Sequence, residues 1–295
     1  MSHELTSPGR RLHREHVLNP ITALAFYTAE DGRVYILAGE DTDIKIYDVE
    51  HSRLCGQLPV FRAQSIHGIA VPPRVVVAPT TTPTSTRQAP QVLVWGGHSV
   101  TVLSGDLIED AIHSKGDGFT HESSTAGGAS PLVTAGEVKA PDWIFDGRIS
   151  PFADDRVVLF TAHNEIIEAR LGNCSHQGRR SLTFGEIRSP SRPILFSGNL
   201  SWISADCVLV AAGTVFGEIL VWKCYLGTRE RETEAVPAAD CEVLFVFSGH
   251  EGSIFGVHIS PEFQTASGEM MLVRLDSETV FNSRSTTTAR LGVWR

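Results

Sequence analysis

The sequence predicts an all-β fold built by repeating one small antiparallel sheet, and three observations carry that expectation. A strand–turn–strand unit of β-branched and aromatic residues recurs four times, with a small residue closing each first strand. A further short apolar segment precedes each unit, and a fifth stands before the C-terminal stretch. No apolar pattern at i, i+3, i+4, i+7 is sustained anywhere, so helix content should be low and an α/β fold does not fit.

In chain order, the first unit is VYILAG at 34–39, a polar turn, then IKIYD at 44–48. The second is VLVWGG at 92–97, a turn at His98 and Ser99, then VTVL at 100–103. The third is VVLFTA at 157–162, with His163 and Asn164 in the turn, then Ile166 and Ile167. The fourth spans 208–222, where apolar runs at 208–212 and 219–222 flank a turn carrying Gly213 and Gly217. The closing small residues are Ala38 with Gly39, Gly96 with Gly97, Ala162, and Ala212 with Gly213. Such residues admit a neighbouring sheet at close range, and glycine accommodates the tight turn. The preceding segments lie at 21–26, 66–71, 143–149 and 200–204, and the fifth at 253–259. Two of these, at 149–151 and 259–261, run into the same tripeptide, Ile-Ser-Pro.

The fourth unit ends in Trp222, and Gly249 with His250 follows a strand-like run at 244–247. A hairpin ending in Trp and a Gly-His pair about one repeat apart mark a blade of a WD-repeat β-propeller. A closed propeller has about 4–8 blades of ~40–45 residues, and this chain has room for about five, the last degenerate. The expected fold is therefore all-β, a WD-repeat β-propeller, incomplete as a ring. Blades bury both flat faces on their neighbours, so an open arc leaves two apolar faces in water.

The organisation read this way is a disordered N-terminal tail at 1–20, a partial propeller at 21–261 and a degenerate last blade at 262–295. Residues 78–89, rich in Thr and Pro, break all periodicity. Residues 104–139, 172–193 and 227–240 read as loop-like excursions, the first partly disordered. Where a last blade should give an Asp-containing turn and Trp-Asp, the tail reads STTTARLGVWR at 285–295. Codons for Thr286 to Arg290, read one nucleotide earlier, can give Asp-Asp-Asp-Arg-Thr. The tail is accordingly expected to be out of frame or mis-spliced.

The net charge is −9, which argues against direct binding of a phosphate backbone. The nearest basic group is Arg179, Arg180, Arg188 and Arg192, read as part of a solvated loop, so nucleic acid would be held by a partner. Five cysteines without C-x-x-C spacing argue for reduced, scattered thiols rather than a disulfide framework or a zinc site. No apolar h-region and no run of about 18 apolar residues is present, which leads to an expectation of cytoplasmic localisation without membrane contact.

The sequence assigns no catalytic, cofactor-binding or metal residue, and the chain is read as not an enzyme. G-x-G-x-x-G, G-x-S-x-G and H-E-x-x-H are all missing. His13 and His16 lie three apart in a polar tail without neighbouring ligands. His98 and His163 read as polar groups in turns, and His250 as structural, orienting its blade, although no Asp partner is found for it. Trp222, followed by Lys223, and Trp143, preceded by Asp142, read as inter-blade packing rather than ligand stacking. Asp206 and Glu218 read as turn residues, and no two carboxylates share a recognisable cleft.

AGE at 38–40, HGI at 67–69, PDWI at 141–144, VAAGTVFGEILVW at 210–222 and SGHEGSIFGV at 248–257 occur in that order. Together they resemble the N-terminal propeller of the WD-repeat-six family, the accessory subunit of a tRNA 2′-O-methyltransferase, over roughly 21–261, with the last two segments the specific ones. The resemblance implies a non-catalytic scaffold that partners an FtsJ-type methyltransferase in ribose methylation at the tRNA wobble position. S-adenosylmethionine would belong to that partner, and tRNA would be reached through the complex, with no small-molecule substrate. The alternative is a WD-repeat adaptor in another assembly, for instance ubiquitin ligation or vesicle traffic. Fold alone does not separate the two. A propeller hydrolase ranks third, because no convergent polar constellation supports it.

Overall fold

The computed structural model describes residues 19–72, 90–113, 136–175, 177–227, 240–260, 272–277 and 287–292. Strands β1 (Ile21–Thr28), β2 (Val34–Glu40), β3 (Asp43–Asp48) and β4 (Arg53–Pro59) pair antiparallel in sequence order as a first blade. The second blade is β5 (Gly68–Ala70), β6 (Val92–Gly96), β7 (Ser99–Leu103) and, after helix α1 (Gly105–His113), the short β8 (Val138–Lys139). The third is β9 (Ile144–Ile149), β10 (Arg156–Thr161), β11 (Ile166–Cys174) and β12 (Arg179–Arg188). The fourth is β13 (Leu195–Ser204), β14 (Cys207–Thr214), β15 (Glu218–Tyr225) and β16 (Cys241–Ser248). The last is a three-stranded sheet of β17 (Gly256–Ser260), β18 (Leu272–Ser277) and β19 (Thr287–Gly292). First strands of successive blades neighbour one another, as in a propeller whose innermost strands surround the axis.

The four sequence units are the middle hairpins β2–β3, β6–β7, β10–β11 and β14–β15. Their composition follows from position. Strands β6, β7, β10 and β14 are buried at every residue because a blade lies on each face, so they read as unbroken apolar runs. In the first blade β3 alternates, with Ile44 and Ile46 turned toward the second blade. On the opposite face of β1, Leu24 and Phe26 are 66% and 71% exposed, the wet apolar face expected at an end of the arc.

One backbone hydrogen bond recurs at each of the four blade junctions. The residue that leads into an innermost strand donates its N–H to a carbonyl in the middle hairpin turn of the blade before. The pairs are Ile66 to Asp41 (2.6 Å), Ile144 to Gly97 (2.9 Å), Leu195 to Ala162 (3.0 Å) and Ile254 to Thr214 (3.1 Å). The small residues at the ends of first strands serve this approach. A Cβ on Gly39 would stand 2.7 Å from Ile66 Cγ2, and one on Gly213 would stand 2.6 Å from Ile254 Cγ2. Side chains add a parallel link. The Ser197 hydroxyl donates to the Ile254 carbonyl at 2.6 Å, and the Thr22 hydroxyl donates to the Ile66 carbonyl. Deeper along the axis, the buried Asp146 carboxylate accepts the Leu200 N–H at 3.0 Å, and the Asn199 side-chain oxygen accepts the Ile259 N–H at 2.9 Å.

Trp222 fills the junction of the third and fourth blades. Its ring is fully buried among Val158, Phe160 and Ile166, and its indole N–H donates to Asn164 Oδ1 at 2.9 Å. The inter-blade role expected for it is what the packing gives.

Three expectations need correcting. Most of the stretch 172–193 is strand rather than excursion, because β11 runs to Cys174 and β12 fills Arg179–Arg188. Arg179 and Arg188 are not in a solvated loop, whereas Arg192 is exposed in the connection after β12, as expected. Arg179 is buried and donates to the Val60 and Pro59 carbonyls at 2.9 and 2.7 Å, and Arg188 is buried beside Glu168 and Glu186. Residues 104–139 include helix α1, whose Ile108 and Ala111 pack on the first blade. Residues 78–89, most of 104–139 and most of 227–240 lie outside the described residues, as do 1–18 with His13 and His16.

Gly213 separates packing from backbone freedom in a test. Gly213→Ala places a methyl against Ile254 and Ser197 and should lower unfolding free energy by about 1–3 kcal/mol. Gly252→Ala meets nothing within 4 Å and should stay within about 0.5 kcal/mol of the parent. Urea denaturation of the two variants measures the contrast; equal effects would remove the close-approach explanation.

Candidate functional site

The junction bonds bring two kinds of loop to one end of the propeller: the middle hairpin turns and the connections that enter the next blade. The turns need a residue with positive φ, and each supplies one: Asp41 (53°), Gly97 (55°), Asn164 (61°) and Gly217 (85°). Asp41 and Asn164 are of the types that tolerate this region best among non-glycine residues.

Polar groups at this end are mostly occupied with one another. Asp142 accepts from His163 Nδ1 at 2.9 Å, from the His163 N–H at 3.2 Å and from the Trp143 N–H at 2.8 Å. Burial works against its charge, but the hydrogen bonds from His163 and the Trp143 N–H prevail and hold the carboxyl below its ordinary range. Buried Glu165 takes Arg192 at 2.7 Å, and Ser65 donates to Asp41 at 2.8 Å. The Ser253 hydroxyl donates to the Val215 carbonyl at 2.9 Å.

Aromatic side chains are left facing water. Trp143 lies over His67 with ring centroids 5.2 Å apart and planes 25° from parallel, and His98 meets its edge. Burial pushes the His67 imidazole below its usual pKa, so near neutrality the stack is a neutral ring on an indole. Toward the last blade, Phe196 at the start of β13 and Phe255 meet edge to face at 4.4 Å, with exposed Ile194 just ahead of that strand. Phe216 stands at the tip of the β14–β15 turn and is 75% exposed. The surrounding charge is acidic, with Glu218 and Glu251 both exposed. Exposed aromatics gathered at one end, with polar neighbours already paired, are the composition of a protein-docking surface.

His98 and His163 do lie in turns at this end, and Asp142 joins His163. Trp143 is not the buried packing residue expected but a half-exposed surface ring. His250 places its backbone carbonyl 2.1 Å from where a Cβ on Gly217 would stand, and among the described residues nothing hydrogen-bonds its ring. Asp206 lies in the β13–β14 turn, where Arg156 approaches it at 3.4 Å, and Glu218 opens β15. Lys223 faces Glu242 across the sheet. Phe196, Phe216 and Phe255 went unassigned in the sequence. Phe216 carried a usable signal, because a large aromatic between Val215 and Gly217 occupies a turn position that polar residues normally hold.

Away from this end, a cavity of about 520 Å³ lies between β4, α1 and the β11–β12 turn. Arg179 lines it, but its guanidinium is committed to the Val60 and Pro59 carbonyls. Among the described residues no group of three or more His, Cys, Asp or Glu could hold a metal ion.

No protein-family model matches the chain, and no curated protein is found to be similar to it. Solved structures are. Sqt1 of Saccharomyces cerevisiae aligns over 89% of this chain with a TM-score of 0.50 and 11% identity. A chain of Polycomb Repressive Complex 2 from Chaetomium thermophilum aligns over 91% with a TM-score of 0.51 and 14% identity. This chain spans 58% and 51% of those two chains. At such identities the likeness shows the fold alone: a WD40-type β-propeller, present here as part of a ring. Propellers of this type are usually non-catalytic scaffolds that bind protein partners.

The His67–Trp143 stack predicts a titration. His67 should titrate with a midpoint below 6.5 when followed by NMR. The unfolded chain then binds the proton more readily than the folded one, so stability falls as pH drops through 6.5 toward the folded midpoint. His67→Gln should flatten that part of the stability profile. A midpoint at or above 6.5 would contradict the buried, neutral ring.

Proposed function

We propose that the chain is a cytoplasmic, non-catalytic WD-repeat scaffold that partners an FtsJ-type methyltransferase in 2′-O-ribose methylation of the tRNA wobble nucleotide. The observation that carries this reading joins sequence to surface. The two segments on which the family resemblance chiefly rests, 210–222 and 248–257, contain the exposed Phe216 and Phe255. Those segments meet through the Ile254 N–H to Thr214 carbonyl bond, so both rings stand beside the same junction. Aromatic side chains held on rigid turns supply large contact area at small entropic cost, which is what a docking surface needs. The acidic groups around them suit a partner with a basic docking surface, as an enzyme that handles tRNA has. In this reading S-adenosylmethionine and the catalytic groups belong to the partner, and tRNA is engaged through the complex.

Two measurements test it. Mass spectrometry of tRNA from cells lacking the gene should show loss of the wobble 2′-O-methyl group; unchanged methylation transfers the reading to an adaptor in another assembly. In purified components, Phe216→Ser should weaken binding of the methyltransferase at least tenfold, the loss of about 1.4 kcal/mol or more expected of an interfacial aromatic. It should leave thermal unfolding within a few degrees of the parent, because the ring buries little in the free chain.

A further inference from the structure

We propose that Cys224 and Cys241 form an oxidation site, a dithiol that a peroxide-class oxidant closes into a cross-strand disulfide. The two residues are direct partners in the register of β15 and β16. The Tyr225 N–H donates to the Asp240 carbonyl at 2.8 Å, immediately beside the pair. A bond in that place puts Cys224 opposite Cys241 at a non-hydrogen-bonded position, where facing side chains come closest and Cα atoms lie ~4.5 Å apart. A disulfide accepts Cα separations of ~4.4–6.8 Å, so closure needs no backbone rearrangement. The two thiols stand close enough to shift one another's ionisation in opposite directions.

The remaining cysteines lack this arrangement. Cys174 stands opposite Arg180, and Cys207 stands opposite Tyr225. Cys55 falls at the register shift between β3 and β4 and has no directly opposed residue.

The pair is asymmetric in the way oxidation requires. Cys224 is buried in the core between the third and fourth blades, whereas Cys241 is half-buried at the start of the outermost strand. The neighbouring Cys224 thiol pulls the Cys241 thiol below its usual pKa; burial and nearby Asp240 oppose the shift, and Arg188 assists it. The same pairing, with burial, pushes Cys224 up. Cys241 is therefore the attacking thiolate and Cys224 the resolving thiol. In the first step the Cys241 sulfur attacks one peroxide oxygen; the S–O bond forms, the O–O bond breaks, and the leaving hydroxide takes up a proton as water. In the second, the Cys224 sulfur attacks the Cys241 sulfenic acid; the S–S bond forms, the S–O bond breaks, and the hydroxyl leaves as water with the Cys224 proton. Two thiols lose two electrons and one hydrogen peroxide becomes two waters. The product pins β16 to β15 and closes 225–240 into a loop.

The test treats the folded full chain with a small molar excess of hydrogen peroxide, blocks remaining thiols by alkylation and maps peptides by mass spectrometry. The expected result is a Cys224–Cys241 crosslink that dithiothreitol reverses. In Cys224→Ala the sulfenic acid on Cys241 should persist, and dimedone capture there should rise at least tenfold over the parent. In Cys241→Ala, Cys224 should stay unmodified. Circular dichroism before oxidation establishes that each variant is folded, and the crosslink in the parent stands as a result even if one variant is not. A crosslink that uses Cys207, or no crosslink while Cys174 oxidises, overturns the proposal.

Discussion

Everything else in the propeller depends on the hydrogen bond that ties each incoming innermost strand to the hairpin turn of the blade before it. A β-sheet twists and slides readily on a neighbouring sheet when only apolar side chains meet. One directed backbone bond at each junction fixes the height of the next blade on the axis. The N–H groups concerned lie at buried positions such as Ile66, Ile144, Leu195 and Ile254. Leaving one unmade costs about 1–3 kcal/mol, so the bond selects one placement among many that would bury similar area. The requirement then propagates backward into sequence. The turn must present a carbonyl outward, which calls for a left-handed residue in it. The strand end must also let an isoleucine come within contact, which calls for glycine at 39 and 213.

The same bond creates the docking surface. It draws each connection onto a turn, so side chains far apart in sequence share one rim. Asp142 and Glu165, which a cleft could otherwise use for chemistry, are engaged by His163 and Arg192. The aromatics have no such partners and stay exposed. A rim where Asp142 and Glu165 are engaged and aromatic rings keep an exposed face has the composition of a recognition surface, in keeping with how propellers of this type are usually used.

The middle hairpins were legible in the sequence because most of their strands are buried on both faces, and pairs of largely apolar runs around turn residues are hard to mistake. Innermost strands were legible as short apolar segments ahead of those hairpins. Strand β12 was not. It reads RRSLTFGEIR, and Arg179 and Arg188 are buried only because the Pro59 and Val60 carbonyls and the Glu168 carboxylate stand ready for them, none of which is visible locally. Helix α1 escaped because nine residues are too few to establish a period. The surface aromatics escaped for another reason: Trp143 and Phe255 look like core residues in sequence, and only the placement of their loops decides otherwise. The thiols looked scattered because opposition across β15 and β16 is a matter of register, which spacing along the chain does not encode.

The second blade shows how the repeat tolerates an insertion. The excursion after β7 leaves β8 only two residues long, paired at Ser99 and Val100, and half of the β7 edge would be left without partners. An unpaired edge invites pairing with other chains. Here β12 of the third blade takes the vacant half, with Arg179 and Arg180 opposite Leu103 and Val102. The second and third blades thereby become one continuous eight-stranded sheet, and the Arg179 side chain reaches on to the carbonyls that follow β4. The first three blades are thus joined at the rim as well as at the axis. The fourth is tied to the third by side chains, Arg156 donating to the Ala205 carbonyl at 2.6 Å and Arg188 lying 3.7 Å from Asp240. Its outer strand β16 is held by β15 and carries Val243 and Val246 into water. A covalent link across β15 and β16 would add a third tie there, fixing the outer strand of the fourth blade to its neighbour.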